Sequence, residues 1–267
     1  MCLATVQVVN HILGYDGGVL GVTSVDDELF LLLEQNVNQV AVYSTDDYRL
    51  LRHLNVPRYK PDSDCDMTSF ARSKCLYMSD YNRACIHRYD LATDTTRKWS
   101  VPRSSSYLSV TPSGNLLVVC RKPNKLVELS AESDGQCVRE IPLQWDIMYP
   151  LHAVQLTNGQ FAVCHFTDVL HQVCVVDDRG YVRGRFGGEG GSNNGQLRYP
   201  PHMALDEKSQ CIFVADCHNS RIVQLSPTLE FVRHVGDEVP HPYRLHFDQT
   251  TRRLYVGVVK LIELEPW

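Results

Sequence analysis

The sequence predicts an all-β chain, a six-bladed β-propeller of four-stranded antiparallel blades, and three observations carry that expectation. Short apolar runs rich in Val, Ile, Tyr and Phe are punctuated by Asn-Gly, Ser-Gly, Arg-Gly and proline, a texture of strands and turns rather than helices. An apolar strand, a polar turn, a second apolar strand and a charged third strand recur at a period of roughly 40 to 50 residues, the signature of a repeat architecture. The register repeats too: Asp80 stands six residues before Ile86, as Asp216 stands six before Ile222. Sheets of this size close radially, because a ring protects the strand edges that isolated blades expose.

The units follow in chain order. "GVTSVDDELFLLLEQNVNQVAVYS" is the first, with Glu34 ahead of Val40, and "MTSFARSKCLYMSDYNRACIHRYDLATDTTRKWSV" is the second. "YLSVTPSGNLLVVCRKPNKLVEL" places Cys120 ahead of Leu126, and "AVQLTNGQFAVCHFTDVLHQVCVVDDRGYVRGRFG" carries a longer turn. The clearest unit, "PPHMALDEKSQCIFVADCHNSRIVQLSPTLEFVRHVG", divides into strands at Met203 to Leu205, Cys211 to Ala215, Ile222 to Leu225 and Phe231 to Val235. The last, "YRLHFDQTTRRLYVGVVKLIEL", is short of an outer strand, which "ATVQVVNHIL" near the N-terminus is expected to supply, closing the ring. The whole of residues 1–267 reads as one domain.

Composition sets the outer bounds. The chain is 43% hydrophobic and 21% charged, with a formal net charge of -5, which does not favour nucleic acid or an anionic membrane surface. It lacks a signal-peptide pattern and any apolar run long enough to cross a bilayer, so a soluble, cytoplasmic protein is expected. The 10 cysteines contain no C-x-x-C pair and sit mostly in apolar runs, where a thiol is a small buried hydrophobe.

The glycine run in "RFGGEGGSNNGQLRYPPHMALD" invites a phosphate-binding reading, which its context rejects. Asn193 stands where a third glycine of G-x-G-x-x-G belongs, no G-K-[ST] follows, and consecutive prolines do not open a helix. It reads as the loop between the fourth and fifth blades.

With "IFVADCHNSRIVQLS" that stretch resembles an NHL repeat, the propeller blade of the TRIM-NHL proteins, and "LYMSDYNRACIHRYD" resembles it in the second unit. The resemblance implies a substrate- or cargo-recognition module, as at the C-terminus of ubiquitin-ligase TRIM-NHL proteins. Asp216 and Asn219 match the family's Asp and Asn positions, where turn chemistry accounts for them. No RING-type Cys/His spacing or heptad run accompanies them, so ubiquitin transfer by these residues is not expected.

Aligning the units puts Tyr107, His152, His202 and Arg244, with Asp66 less securely, where the innermost strands begin, at one mouth of the channel. Three functions compete for such a mouth. The favoured one is a platform for a protein or peptide partner, with Tyr107, His152, Tyr199, His202, Tyr243 and Arg244 as contact residues. The alternative is single-stranded RNA bound through Arg103, Arg121, Lys122, Lys125, Arg198 and Arg221, against which stand Glu128, Glu132, Asp134 and Glu140. The third is a zinc-dependent lyase, since NHL-type propellers include a peptidyl-hydroxyglycine lyase with histidines, a tyrosine and an arginine around a central metal. Only His152 and His202 share the register, short of the three or four protein ligands that zinc takes, so no metal, cofactor or catalytic residue is expected.

Overall fold

The computed structural model describes residues 18–236, 239–257 and 261–264. The first blade comprises β1 (Val19–Val25), β2 (Glu28–Leu33), β3 (Gln39–Ser44) and β4 (Leu50–Asn55), and the second β5 (Met67–Phe70), β6 (Cys75–Asp80), β7 (Cys85–Asp90) and β8 (Thr95–Ser100). The third holds β9 (Ser105–Val110), β10 (Leu116–Arg121), β11 (Asn124–Leu129) and β12 (Cys137–Pro142), and the fourth β13 (Pro150–Gln155), β14 (Phe161–Phe166), β15 (Leu170–Val176) and β16 (Val182–Glu189). The fifth holds β17 (Met203–Leu205), β18 (Ile212–Asp216), β19 (Arg221–Leu225) and β20 (Phe231–Val235). A final sheet follows, of β21 (Arg244–Phe247), β22 (Leu254–Gly257) and β23 (Leu261–Leu264).

The fold is thus an all-β propeller of antiparallel blades, but the expectation of six four-stranded blades is overturned. Five sheets have four strands, and the last has three among the described residues. The segment expected to complete it, residues 4–13, lies outside the described residues. The innermost strands β1, β5, β9, β13, β17 and β21 meet in that order, and β21 returns to β1. No helix among the described residues is long and apolar enough to cross a membrane.

Burial runs outward along each blade. The second strands, such as β10 (Leu116–Arg121) and β18 (Ile212–Asp216), are almost wholly buried, which is why they read as continuous apolar runs rather than alternating ones. Charge sits on the third strands of the second, third and fifth blades, as expected, and on the fourth, outermost strands as well. Each of β4, β8, β12 and β20 buries one large side chain, respectively Leu54, Trp99, Ile141 and Val235, and exposes most of the rest. The described cysteines are all free thiols.

Turns follow their residue chemistry. Gly114 and Gly180 take the left-handed conformation in the β9–β10 and β15–β16 turns, at φ 83° and 82°, and a Cβ at Gly180 would lie 1.7 Å from the Pro142 carbonyl oxygen. The glycine run is only partly a loop: Gly187 and Gly188 pair within β16, and the stretch after Glu189 is the connection, tied down by the following blade. Asn219 donates to the Gly191 carbonyl (2.8 Å) and to Asp216 Oδ2 (2.8 Å), while Arg221 donates to the carbonyls of Ser192 (3.0 Å) and Gln196 (2.9 Å).

Gly21, on β1, packs against β5 of the second blade: a Cβ there would lie 2.7 Å from the Met67 Cβ and 3.0 Å from the Met67 nitrogen. Gly21→Ala is expected to destabilise the protein by about 1 to 3 kcal/mol through overpacking. Gly188→Ala, with nothing within 4 Å of its Cβ, should change stability little. Urea denaturation compares the two, and an equal midpoint shift in both would refute the close-approach explanation.

Candidate functional site

The turns that lead into the inner strands share a backbone device. Ser104, Tyr149, Tyr199 and His241 all have positive φ (68°, 46°, 56° and 46°), and each stands three residues before the first inward side chain of its sheet. The last three are followed by proline, which fixes the direction of chain entry. The side chains so delivered are Tyr107, His152, His202 and Arg244, and Asp66 of the second blade joins them. All five are buried, Tyr107, Asp66 and Arg244 at 1% exposure. They form a plug across the channel, not a set of contact residues at its rim.

Asp66 is the centre of the plug. Its Oδ1 accepts the Met67 N–H (2.9 Å) with Arg244 Nε 3.4 Å away, and its Oδ2 accepts the Leu108 N–H (2.9 Å) with His202 Nε2 at 3.5 Å. Arg244 also donates to the carbonyls of Leu20 (2.8 Å) and Cys65 (2.7 Å), and its guanidinium lies over Tyr107 and Tyr243, 4.9 and 4.5 Å from the ring centres. His202 Nδ1 accepts the Leu245 N–H (3.3 Å), so the neutral ring carries its proton on Nε2, facing Asp66. His152 stacks on His202 with 3.7 Å between centroids, and its Nε2 bonds the Leu108 carbonyl (3.1 Å).

Burial lowers the pKa of both imidazoles, His152 furthest, and keeps them neutral. Burial pulls the Asp66 carboxyl up, but the hydrogen-bonding edge of His202 and the Arg244 guanidinium outweigh it and leave it below the usual carboxylate range. Asp66, His152 and His202 bring one ligand atom each within 4.8 Å of one another, the third metal-type group that the histidines lack on sequence grounds. Arg244 already supplies a fixed positive charge to that carboxylate, so a divalent ion there would have to displace or repel a buried guanidinium.

On the other side of the plug a cavity of about 370 Å³ is lined by Ser24, Ser69, Ser109, His152, His202 and His246. The Ser24 hydroxyl donates to Asp248 Oδ2 (2.7 Å) and lies 2.8 Å from His246 Nε2, which also accepts the Ser24 N–H (3.1 Å). The residue types match a nucleophilic triad, but the carboxylate faces the serine rather than the far nitrogen of the imidazole, and the base's lone pair is already engaged. The cluster instead fastens β1 to β21. These residues lie 222 and 224 positions apart, and no local signal in the sequence couples them.

At the plugged mouth lies a feature only half visible in the sequence. Tyr149, Phe166, Tyr199 and Tyr243 make a run of ring contacts with centroid separations of 6.2, 5.0 and 6.4 Å, and His218 stacks on Tyr199 at 4.8 Å. Tyr149 is 53% exposed, with exposed Met148 and Trp145 before it in sequence. Tyr199 and Tyr243 are among the expected contact residues, whereas Tyr149 and Phe166 are not. The signal that could have found Tyr149 is the repeated aromatic-proline pair in "YPLH" and "YPPH".

The basic residues do not converge as a free face. Arg121 pairs with Asp64 (3.2 Å) and lies over Tyr107 (5.2 Å), Lys125 pairs with Glu140 (2.6 Å), and Arg221 pairs with Asp216 (2.7 Å). Arg103, Lys122 and Arg198 are exposed.

The chain matches no protein-family model and no curated protein. Among solved structures it is similar to a streptogramin B lyase, with a TM-score of 0.67 at 11% identity over 98% of this chain and 97% of that one. A catalytically inactive virginiamycin B lyase from Staphylococcus aureus, solved with quinupristin, gives 0.66 at 13% identity over 95% and 81% of the two chains. Hydrazine synthase of Kuenenia stuttgartiensis gives 0.66 at 13% identity over 96% and 98%. Likeness at this identity shows the propeller fold alone, and it does not single out the NHL type.

Two predictions test the plug. Replacing Arg244 with Met leaves the Asp66 carboxylate buried without its cation, at an expected cost of about 3 to 5 kcal/mol in chemical denaturation. A loss under about 1 kcal/mol would show that backbone donors alone support that carboxylate. Buried histidines set the second. His165 and His246 are lowered to about 4, chiefly by burial. Their folded values lie below the unfolded value near 6.5, so the unfolded chain binds more protons between the two. Their contribution to stability is full above about pH 6.5 and is lost as pH falls toward about 4. The melting temperature should fall across that window with proton uptake on unfolding by calorimetry, and a flat or opposite profile would refute this assignment.

Proposed function

We propose that the protein is an interaction platform that takes a polypeptide partner at the plugged mouth of the propeller. The observation that carries this reading is the continuous, partly exposed ridge of Tyr149, Phe166, Tyr199 and Tyr243. Tyrosine and phenylalanine offer large contact area with few rotors to immobilise, and such residues dominate binding energy where they cluster. Here the three tyrosines stand on turns fixed by proline and Phe166 ends strand β14, all above a rigid plug, so little ordering accompanies binding.

Within this reading the roles of the sequence candidates divide. Tyr199 and Tyr243 contact the partner. Tyr107, His152, His202 and Arg244, being buried, hold the mouth in shape. The narrower role of recognising a ubiquitin-ligase substrate rests on the NHL resemblance alone. RNA ranks behind a protein partner because Arg121, Lys125 and Arg221 already have carboxylate partners, and a polyanion would have to replace them.

Selection of peptides from a random display library on the purified protein tests the proposal. Selected peptides are expected to carry an aromatic or apolar anchor, and Tyr149→Ala or Tyr199→Ala should weaken them by roughly 2 kcal/mol or more. Tyr181→Ala, an exposed aromatic outside the ridge, should not. Salt dependence should be mild. Tight binding of single-stranded RNA with a steep salt slope, abolished by joint substitution of Arg103, Lys122 and Arg198, would overturn the proposal.

A further inference from the structure

The repeats serve as internal controls for one another, and at one register the second blade departs from its neighbours. In the fifth blade Asp216 faces Arg221 across β18 and β19, and Val214 faces Val223. In the third, Cys120 faces Lys125 and Val118 faces Val127. In the second, Asp80 faces Cys85 and Met78 faces His87. A facing position that holds Lys or Arg in the third and fifth blades here holds a thiol, and a buried position that holds valine in those two blades here holds an imidazole.

Packing gives that imidazole no other task. His87 is fully buried, its Nε2 lies 3.3 Å from Asp80 Oδ2, and its Nδ1 has no hydrogen-bond partner. The edge-to-face contact with Tyr59, at 5.0 Å between centroids, fixes the ring plane. Asp80 is 1% exposed, so its charge requires compensation. In the fifth blade the equivalent carboxylate is held by Arg221, whose side chain is only 16% exposed. Asp80 instead draws on Arg83, a side chain 49% exposed that reaches in from the turn at 2.9 Å.

We propose that Asp80, Cys85 and His87 form a site for one transition-metal ion of the zinc type, at the β6–β7 turn and apart from the aromatic mouth. The three residues offer ligand atoms within 4.8 Å of one another. Cys85 and His87 are alternate residues of β7 and so share one face of the sheet, with Asp80 beside Cys85 on β6. One thiolate, one imidazole and one carboxylate suit a borderline-soft ion, and a water or an external ligand completes the tetrahedron. Bonds of about 2.0 to 2.3 Å require the cluster to tighten on binding. Half-buried Cys85 leaves an entry path, Arg83 swings outward into solvent, and the Arg83 N–H keeps Asp80 Oδ1 in place at 3.1 Å. The exposed Lys98 opposite His87 on β8 can likewise turn away from the ion. On binding the Cys85 thiol releases its proton to solvent, and the carboxylate and the resulting thiolate together neutralise a divalent ion, which takes over the role that Arg221 plays in the fifth blade.

Cobalt(II), a spectroscopic stand-in for zinc, tests the site. Titration into the full chain, purified with a chelator and then freed of it, should saturate at one equivalent with a thiolate-to-cobalt charge-transfer band, and one equivalent of zinc should abolish the band. The band should vanish in Cys85→Ser and in His87→Val. The second variant carries the residue that the third and fifth blades use there, so its circular dichroism should match that of the parent. Cys137→Ser, which removes an exposed thiol on β12, should keep the band. Absence of the band from the parent protein, its survival in both site variants, or its loss in Cys137→Ser would overturn the proposal.

Discussion

One buried ion pair, Asp66 with Arg244, holds the sheets to one another. Arg244 belongs to the last sheet and bonds the Leu20 carbonyl of the first blade and the Cys65 carbonyl that leads into the second. Asp66 receives the Leu108 N–H of the third blade and faces His202 of the fifth. His152 of the fourth stacks on that ring. Every sheet therefore contributes to one polar knot, and the contacts that join the sheets are not local in sequence. Two charges taken fully from water are tolerable only when each is completely paired, so the knot fixes a single arrangement of the sheets.

The knot also separates two surfaces. Above it, proline-fixed turns and the end of β14 present the aromatic ridge. Below it, the cavity beside Ser24 and His246 opens toward the ends of the inner strands. A through-channel would expose the plug residues to both sides, whereas His152 and His202 are 2% and 6% exposed and reach solvent poorly from either. The ridge can vary its outward atoms without disturbing the knot, because Tyr199 and Tyr149 sit three residues upstream of the side chains that form it.

Much of the fold was legible in the sequence because strand, turn and strand are local events. The strands of the fifth blade were placed to within one residue, and the Asp216-to-Ile222 spacing marks the same turn as Asp80-to-Ile86. What lay beyond reach was pairing over long separations. The last sheet has three strands among the described residues, and the segment expected to complete it lies outside them. Of the site, the shared register of Tyr107, His152, His202 and Arg244 was readable, but its burial was not, since that depends on how near the inner strands of different blades approach. The same limit applied to charge: the partners of Arg121 and Lys125 are Asp64 and Glu140, which spatial proximity selects and spacing does not.

Buried carboxylates show how one blade pattern can be turned to different ends. Asp66, Asp206 and Asp216 sit against Arg244, Arg252 and Arg221, whose side chains are 1%, 27% and 16% exposed. In each the guanidinium is part of the packed framework, and the carboxylate is committed to it. Asp80 occupies the position of Asp216 but draws its charge from the largely solvated Arg83, with a thiol and an under-used imidazole on the facing strand. A carboxylate whose counter-charge can leave without unpacking the core is available for another cation, and one held by framework arginine is not. That physical difference, rather than the presence of an acidic residue, separates a structural turn from a site.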